Sequence, residues 1–225
     1  MQQLDVQYWR RALLEVARAV EQEKGRLCEL DGAIGDGDHG TSMARGFRLV
    51  AERLASDESA DVGAVLSVTG TALVSSVGGV TGVVFGTFFL SAAKAAGGKP
   101  AIGTAELSAM FAAGLEGVQL RGKAKPGDKS MVDALAPAAD ALRAAARDGL
   151  GVREALRLAS EAAHEGMERT RDMRASVGRA RYQGEKAVGH VDPGAASVAL
   201  IVAALARSAA GGAGVEADGQ GAFGM

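Results

Sequence analysis

Three aspartates, Asp31, Asp36 and Asp38, fall within eight residues, interleaved with Gly32, Gly35, Gly37 and followed by Gly40. Carboxylates this close repel one another unless a cation neutralises them. An all-oxygen donor set without cysteine suits a hard ion, magnesium or calcium, rather than zinc. Magnesium commonly takes only one or two protein carboxylates and completes its octahedron with water and phosphate oxygens. Three carboxylates just before a helix start therefore point to a metal–nucleotide site, with donors enough for two ions. The competing explanation is a glycine-rich turn whose aspartates cap the next helix.

Three familiar patterns overlap this region or its neighbours, and each fails on context. Gly35, Gly37 and Gly40 match the glycine spacing of a dinucleotide fold, but no strand precedes them and carboxylates fill the gaps. Counted from Asp36, the twelfth position is Phe47, where a calcium loop of the EF-hand type needs a bidentate glutamate. Gly117–Lys123 has P-loop spacing, but Ala124 replaces the required hydroxyl residue and the segment ends a helix instead of following a strand.

Other loops carry residues suited to anions. Gly78, Gly79 and Gly82 flank Val80 and Thr81, so that backbone N–H groups and a hydroxyl can approach an oxyanion; close helix packing is the alternative. Lys123, Lys125 and Lys129 lie with Asp128 in RGKAKPGDKS, a set suited equally to phosphate charge and to a solvated loop. Arg179 and Arg181 precede the last helix, where an arginine can stabilise a transferring phosphoryl group. Asp192, Pro193 and Gly194 make a turn into a helix, with Pro193 suited to the first helical position. His39 and His190 fit capping or packing roles, and His164 a helix surface. No serine–histidine–aspartate system is discernible.

The elements that must position these residues are helical. Val6, Trp9, Leu13, Val16 and Val20 make one apolar stripe, and the segment after Gly151 repeats the period. No sustained period-2 run supports a strand. Breaks at glycine, proline and aspartate clusters predict about eight helices, at roughly 4–25, 40–55, 61–75, 80–97, 104–121, 130–148, 151–173 and 194–209. Residues 1–210 read as one domain and 211–225 as a flexible glycine-rich tail. The loops after the first, third, fifth and seventh helices are the ones loaded with glycine, aspartate and lysine, and the other connections are plain. If successive helices run antiparallel, those four loops meet at one end. Four helix N-termini meet there too, and their unpaired N–H groups favour anions.

Composition narrows the function. The chain has 225 residues, a formal charge of −2 and a single cysteine, Cys28. Near-neutral charge gives no footprint for nucleic acid. One cysteine excludes an internal disulfide and a thiolate metal site. The amphipathic N-terminus lacks a signal-peptide core. Val80–Ala96 and Ala195–Ala206 fall short of the ~20 apolar residues of a span and read as buried helices. The expectation is a cytoplasmic protein with no membrane or nucleic-acid partner. Tyr8 and Trp9 fit a core or a contact equally, leaving a homodimer open.

The strings LDGAIGDGDHGTSMARGF, SSVGGVTGVVFGTFFL, RGKAKPGDKSMVDALAPA and GRARYQGEKAVGHVDPGAAS, in this order, resemble the nucleotide-binding L subunit (DhaL type) of the dihydroxyacetone kinases. The resemblance runs from about Leu30 to Ser197 and implies an all-α, up-and-down barrel of eight antiparallel helices with ADP or ATP and magnesium at one rim. It implies that Asp31, Asp36 and Asp38 hold magnesium. It implies nucleotide contacts from His39, Gly40, Thr41, Ser42, Gly79, Val80, Thr81, Gly122, Met131, Arg179, Asp192, Pro193 and Gly194, with Arg179 acting in catalysis. Two positions depart from the family: Ser42 replaces asparagine and Thr81 replaces serine, and both leave a hydroxyl donor. Gly79-Val80-Thr81-Gly82-Val83 also replaces the family's glycine-alanine-serine-glycine-proline run. A separate K subunit would hold the small ketose, and a phosphohistidine carrier of the phosphotransferase system is one source of the phosphoryl group. A non-catalytic, nucleotide-sensing regulator is the alternative.

Overall fold

The computed structural model describes residues 3–211, whose regular structure is almost entirely helical. The helices are α1 (Val6–Gln22), α2 (Lys24–Ile34), α3 (His39–Ala55), α4 (Val62–Ser76), α5 (Gly79–Ala96), α6 (Thr104–Gly122), α7 (Val132–Arg147), α8 (Val152–Arg169) and α9 (Pro193–Gly211). Short 3-10 turns at Thr170–Asp172 and Ala180–Ala187 lie between α8 and α9. Gly211 ends α9, and the remainder of the expected tail, 212–225, lies outside the described residues.

Local chemistry accounts for the helix starts. The Asp5 carboxylate accepts the Tyr8 N–H at 2.7 Å, and that of Asp61 accepts the Ala64 N–H at 2.8 Å, each satisfying a donor that the first turn leaves free. At α6 the Glu106 carboxylate reaches back to the Gly103 N–H at 3.1 Å and takes the Lys99 ammonium at 3.0 Å.

Close glycine contacts give the directions. A Cβ on Gly63 would strike Ala93 and Gly97 carbonyls, and one on Gly70 the Gly86 carbonyl; rising numbers in α4 meet falling numbers in α5. Gly114 faces Phe88 while Gly122 faces Val84, and Gly166 near the end of α8 faces Asp133 near the start of α7. Successive members are therefore antiparallel. Skipping α2, the helices α1, α3, α4, α5, α6, α7, α8 and α9 each touch the next, and α9 returns to α1. The closed ring of eight agrees with the expected barrel. α2 lies beside it, against α3 and α9.

The interior is apolar. Phe47, Phe88, Phe89 and Phe111 meet edge to face at centroid distances of 5.2–6.3 Å, the arrangement aromatic quadrupoles favour. Tyr8 and Trp9 are core residues at 1% and 2% exposure. Each large side chain so buried contributes about 1.5–3 kcal/mol.

Several expectations change. The first helix does not end near residue 25: α1 stops at Gln22, and α2 continues to Ile34, carrying Asp31 on a helix rather than in a loop. α8 ends at Arg169, not near 173. A minimal antiparallel pair exists, Leu4↔Ile102 and Asp5↔Ala101, too short for any period-2 signal. It ties the chain start to the α5–α6 connection. Helices α5 and α9, at 18 and 19 residues with hydropathies of 1.4 and 1.6, are long and apolar enough to cross a membrane. Here both are staves of the ring, with half or more of their apolar window buried.

Candidate metal centre and phosphate rim

The antiparallel ring places the starts of α3, α5, α7 and α9 at one end. His39 Nε2 lies 2.8 Å from Ser197 Oγ, joining α3 to α9. The His39 and Phe85 rings sit 6.3 Å apart, joining α3 to α5. A Cβ on Gly194 would stand 3.3 Å from that of Met131, at the adjoining starts of α9 and α7.

Asp31 occupies the last turn of α2 and is buried at 8% exposure. Its Oδ2 accepts the N–H groups of Asp38 at 2.9 Å and His39 at 3.2 Å. A carboxylate from one helix thus caps the start of another. The link from Gly35 to Asp38 is tight: a Cβ on Gly35 would come within 2.3 Å of Asp31 Oδ1, and Gly37 has a φ of 78°, accessible to glycine without steric cost. The result brings one carboxylate oxygen from each of Asp31, Asp36 and Asp38 within 4.8 Å of the others. Asp36 and Asp38 are exposed. Oxygen donors this close, at a helix N-terminus and open to solvent on one side, fit a hard divalent cation that keeps part of its coordination for water or phosphate. The Arg179 guanidinium is ion-paired with Asp36, so the predicted catalytic arginine reaches the carboxylate trio from the α8–α9 excursion.

His39 is buried at 7% exposure. Burial pushes its pKa below the usual imidazole value, against the opposing pull of Asp31 and Asp38, which favours the neutral ring. Gly40 packs onto α2 so closely that a Cβ would lie 2.1 Å from the Lys24 carbonyl oxygen. Thr41 is exposed and Ser42 half-buried on the first turn of α3. Gly79 opens α5 with a φ of 69°, no side chain caps that helix, and Val80 is 71% exposed beside half-buried Thr81. Its first-turn N–H groups are therefore available at the rim.

The lysine loop divides. Lys123 and Lys125 are exposed, whereas Lys129 is buried at 1% exposure. Asp128 and Asp133 organise the loop: Asp128 accepts the Lys125 N–H at 2.8 Å, and Asp133 those of Gly127 at 2.5 Å and Ser130 at 2.8 Å. Gly122 ends α6 half-buried and Met131 is buried. Asp192 accepts the Ala195 N–H at 2.8 Å, capping α9, while its own N–H donates to Thr170 Oγ1 at 2.9 Å. Burial pushes the Asp192 carboxyl up to about 7, with the Ala195 N–H and Lys129 acting the other way. Pro193 is the first residue of α9 and is buried. His190 and His164 are exposed.

The sequence reading missed Ser197 and Thr170, both fully buried and both orienting rim residues. The available signal was a hydroxyl residue inside an apolar helix stretch and another at a helix end.

Comparison with known proteins agrees with this geometry. The DAK2 domain family matches residues 33–207. The ADP-binding subunit DhaL of the PEP-dependent dihydroxyacetone kinase of Escherichia coli is 45% identical over 83% of this chain and 89% of that one. An L-erythrulose 1-kinase of Mycolicibacterium smegmatis is 40% identical over 86% of this chain but only 34% of its own length. Among solved structures, the dihydroxyacetone kinase of C. freundii with AMP-PNP and Mg2+ superposes with a TM-score of 0.67 at 28% identity, covering 88% of this chain. The present chain spans about a third (33%) of the length of that kinase. With the ring, the rim and these similarities together, the chain belongs to the DAK2 domain family and is of the DhaL type.

Proposed function

We propose that the chain is the nucleotide- and magnesium-binding subunit of a dihydroxyacetone-type kinase, acting on a small ketose held by a separate K subunit. The observation that carries this reading is the carboxylate trio, with oxygens within 4.8 Å, beside the start of α3 and paired to Arg179. Asp31, Asp36 and Asp38 would hold two magnesium ions. When bound, magnesium supplies positive charge that offsets the charge on the phosphate oxygens during transfer.

The protein's own residues do the positioning. The N–H groups of Asp38 and His39 fix one oxygen of Asp31 and leave the other for a cation. The first turns of α3 and α5 would present the N–H groups of Gly40, Thr41 and Gly79 to Thr81, and the hydroxyls of Thr41, Ser42 and Thr81, to phosphate oxygens, the N–H groups of His39 and Ser42 being bonded to Asp31 and Asp38. Gly122, Met131 and the Asp192–Gly194 turn would line the nucleotide. Arg179 offsets charge on the phosphoryl group as it moves. The acceptor hydroxyl comes from the K partner at the open rim, in a cytoplasmic setting.

The relatives matched over nearly their whole length are named as ADP-binding subunits of PEP- or PTS-dependent kinases. That favours ADP retained as a cofactor and rephosphorylated by a phosphohistidine carrier. Denaturing the freshly purified protein and resolving the released nucleotide by anion exchange tests this. The expected result is near-stoichiometric ADP. An empty protein that takes up Mg-ATP reversibly would mean a turnover-dependent ATP donor, and one that binds neither nucleotide would sink the reading.

A further inference from the structure

Between α8 and α9 the chain leaves the barrel at Thr170 and returns at Asp192, and Arg179 lies on this excursion. Its regular structure is limited to the two 3-10 turns, most of its side chains are exposed, and its buried part is the small cluster of Ala175, Ala180 and Ala187 with Ile34 of α2. A segment with so small a core of its own opens readily unless its ends are fastened. The two feet are fastened by one residue from a different loop. Lys129 Nζ donates to the Thr170 carbonyl at 2.5 Å and to the His190 carbonyl at 2.5 Å. The lysine is 1% exposed, and its backbone takes a φ of 59°, a left-handed conformation uncommon outside glycine. Supporting bonds lie around it: Gly189 N–H to the Arg171 carbonyl at 2.8 Å and Asp192 N–H to Thr170 Oγ1 at 2.9 Å. An ammonium has three donors and no acceptor, so it can clasp two carbonyls from separate strands of chain, which no apolar side chain can do.

We propose that Lys129 is a positioning residue: it clasps the two feet of the Thr170–Asp192 excursion and so holds Arg179 against the carboxylate trio. The proposal rests on the functional reading above for its catalytic consequence, but not for the clasp itself. Lys129 touches neither the trio nor the reacting groups. It acts through Arg179.

The clasp is tested in the full chain by Lys129→Met, which keeps the aliphatic stem and removes the donors. Trypsin cuts after arginine and lysine, and Arg174, Arg179, Arg181 and Lys186 are exposed on the excursion. Cleavage there in Lys129→Met should accelerate by about tenfold or more while the helical circular dichroism stays that of the wild type. Phosphoryl transfer with a K partner should then lose about 10–100-fold in kcat with KM for the acceptor little changed. In an Arg179→Gln background, Lys129→Met should cost almost nothing more, because the two act as a unit. Lys129→Arg, which restores two donors, should recover part of both effects. Unchanged trypsin cleavage in Lys129→Met, or a full further loss of kcat on top of Arg179→Gln, overturns the proposal. Loss of the helical signal in both lysine variants also overturns it, since the residue would then serve the global fold. If the wild type binds no Mg-nucleotide, the functional reading fails, and the proteolysis result still decides the clasp.

Discussion

At the scale of single residues, the rim is governed by how each carboxylate is satisfied. Asp31 is buried and fixed by two N–H groups; Asp36 and Asp38 are exposed, Asp36 in an ion pair with Arg179. Replacing Asp36 and Asp38 together by asparagine keeps size and removes two charges. Magnesium-dependent ADP binding, measured by titration calorimetry, should weaken by more than the ~10–100-fold that the outer partners of a metal site typically cost, with the helical spectrum intact. Unaltered affinity would show that the metal lies elsewhere. Asp192 allows a pH prediction. Its carboxyl is pushed from 3.8 up to about 7 by burial, so between those values the folded state holds more protons than the unfolded chain. Stability then falls as pH rises through that window. Asp192→Asn cannot titrate, yet its amide oxygen can still cap Ala195. Urea midpoints at pH 5 and pH 8 should differ less in the variant than in the wild type.

At the scale of elements, the rim depends on α2 lying directly against the first turn of α3. Gly40 is the contact, since a Cβ there would lie 2.1 Å from the Lys24 carbonyl oxygen and 2.9 Å from the Cys28 nitrogen. Gly40→Ala should force the two helices apart, costing about 1–3 kcal/mol as overpacking does, and should weaken nucleotide binding by moving His39 and Thr41. Gly25→Ala is the contrast. Nothing lies within 4 Å of a Cβ at Gly25, on the same helix, so the change should stabilise by up to ~1 kcal/mol and leave binding alone. Denaturant midpoints and calorimetry on the two variants separate packing from propensity. This contact also marks a limit of what the residues reveal. Staves α1 and α8 were legible because their stripes repeat every three or four residues, and the others from the glycine, proline and aspartate clusters that bound them. Helix α2 was not, because KGRLCELDGAI has two glycines and a weak stripe, and it is helical through packing on α3 and α9. The trio was legible as a cluster, whereas its placement partly on a helix was not. Nor did Lys129 differ from Lys123 or Lys125 in type or spacing; Lys123 even shares its left-handed backbone, and it is the Thr170 and His190 carbonyls around its ammonium that set Lys129 apart.

At the scale of the whole molecule, the ring must close, and closure falls between the first helix and the last. Tyr8 on α1 donates its hydroxyl to the Leu205 carbonyl on α9 at 2.8 Å across 197 residues of chain. Burial raises the Tyr8 pKa, so the phenol stays protonated as a donor. Arg10, also on α1, reaches the Asp57 and Ser59 carbonyls at 2.8 and 2.9 Å and the Asp57 carboxylate at 3.0 Å, anchoring the α3–α4 connection to the same helix. These contacts lie towards the end of the barrel opposite the rim, because α1 begins there and α9 starts at the rim. Closure and the carboxylate rim are thus separated along the barrel axis. Tyr8→Phe keeps the ring in place and deletes one buried hydrogen bond, which should lower stability by about 1 kcal/mol. A barrel whose rim is set locally by α2, α3 and the α8–α9 excursion should then bind Mg-ADP with wild-type affinity despite the lower urea midpoint. A matching loss of affinity would mean instead that strain at the closure seam is transmitted along α9 to Ser197 and His39.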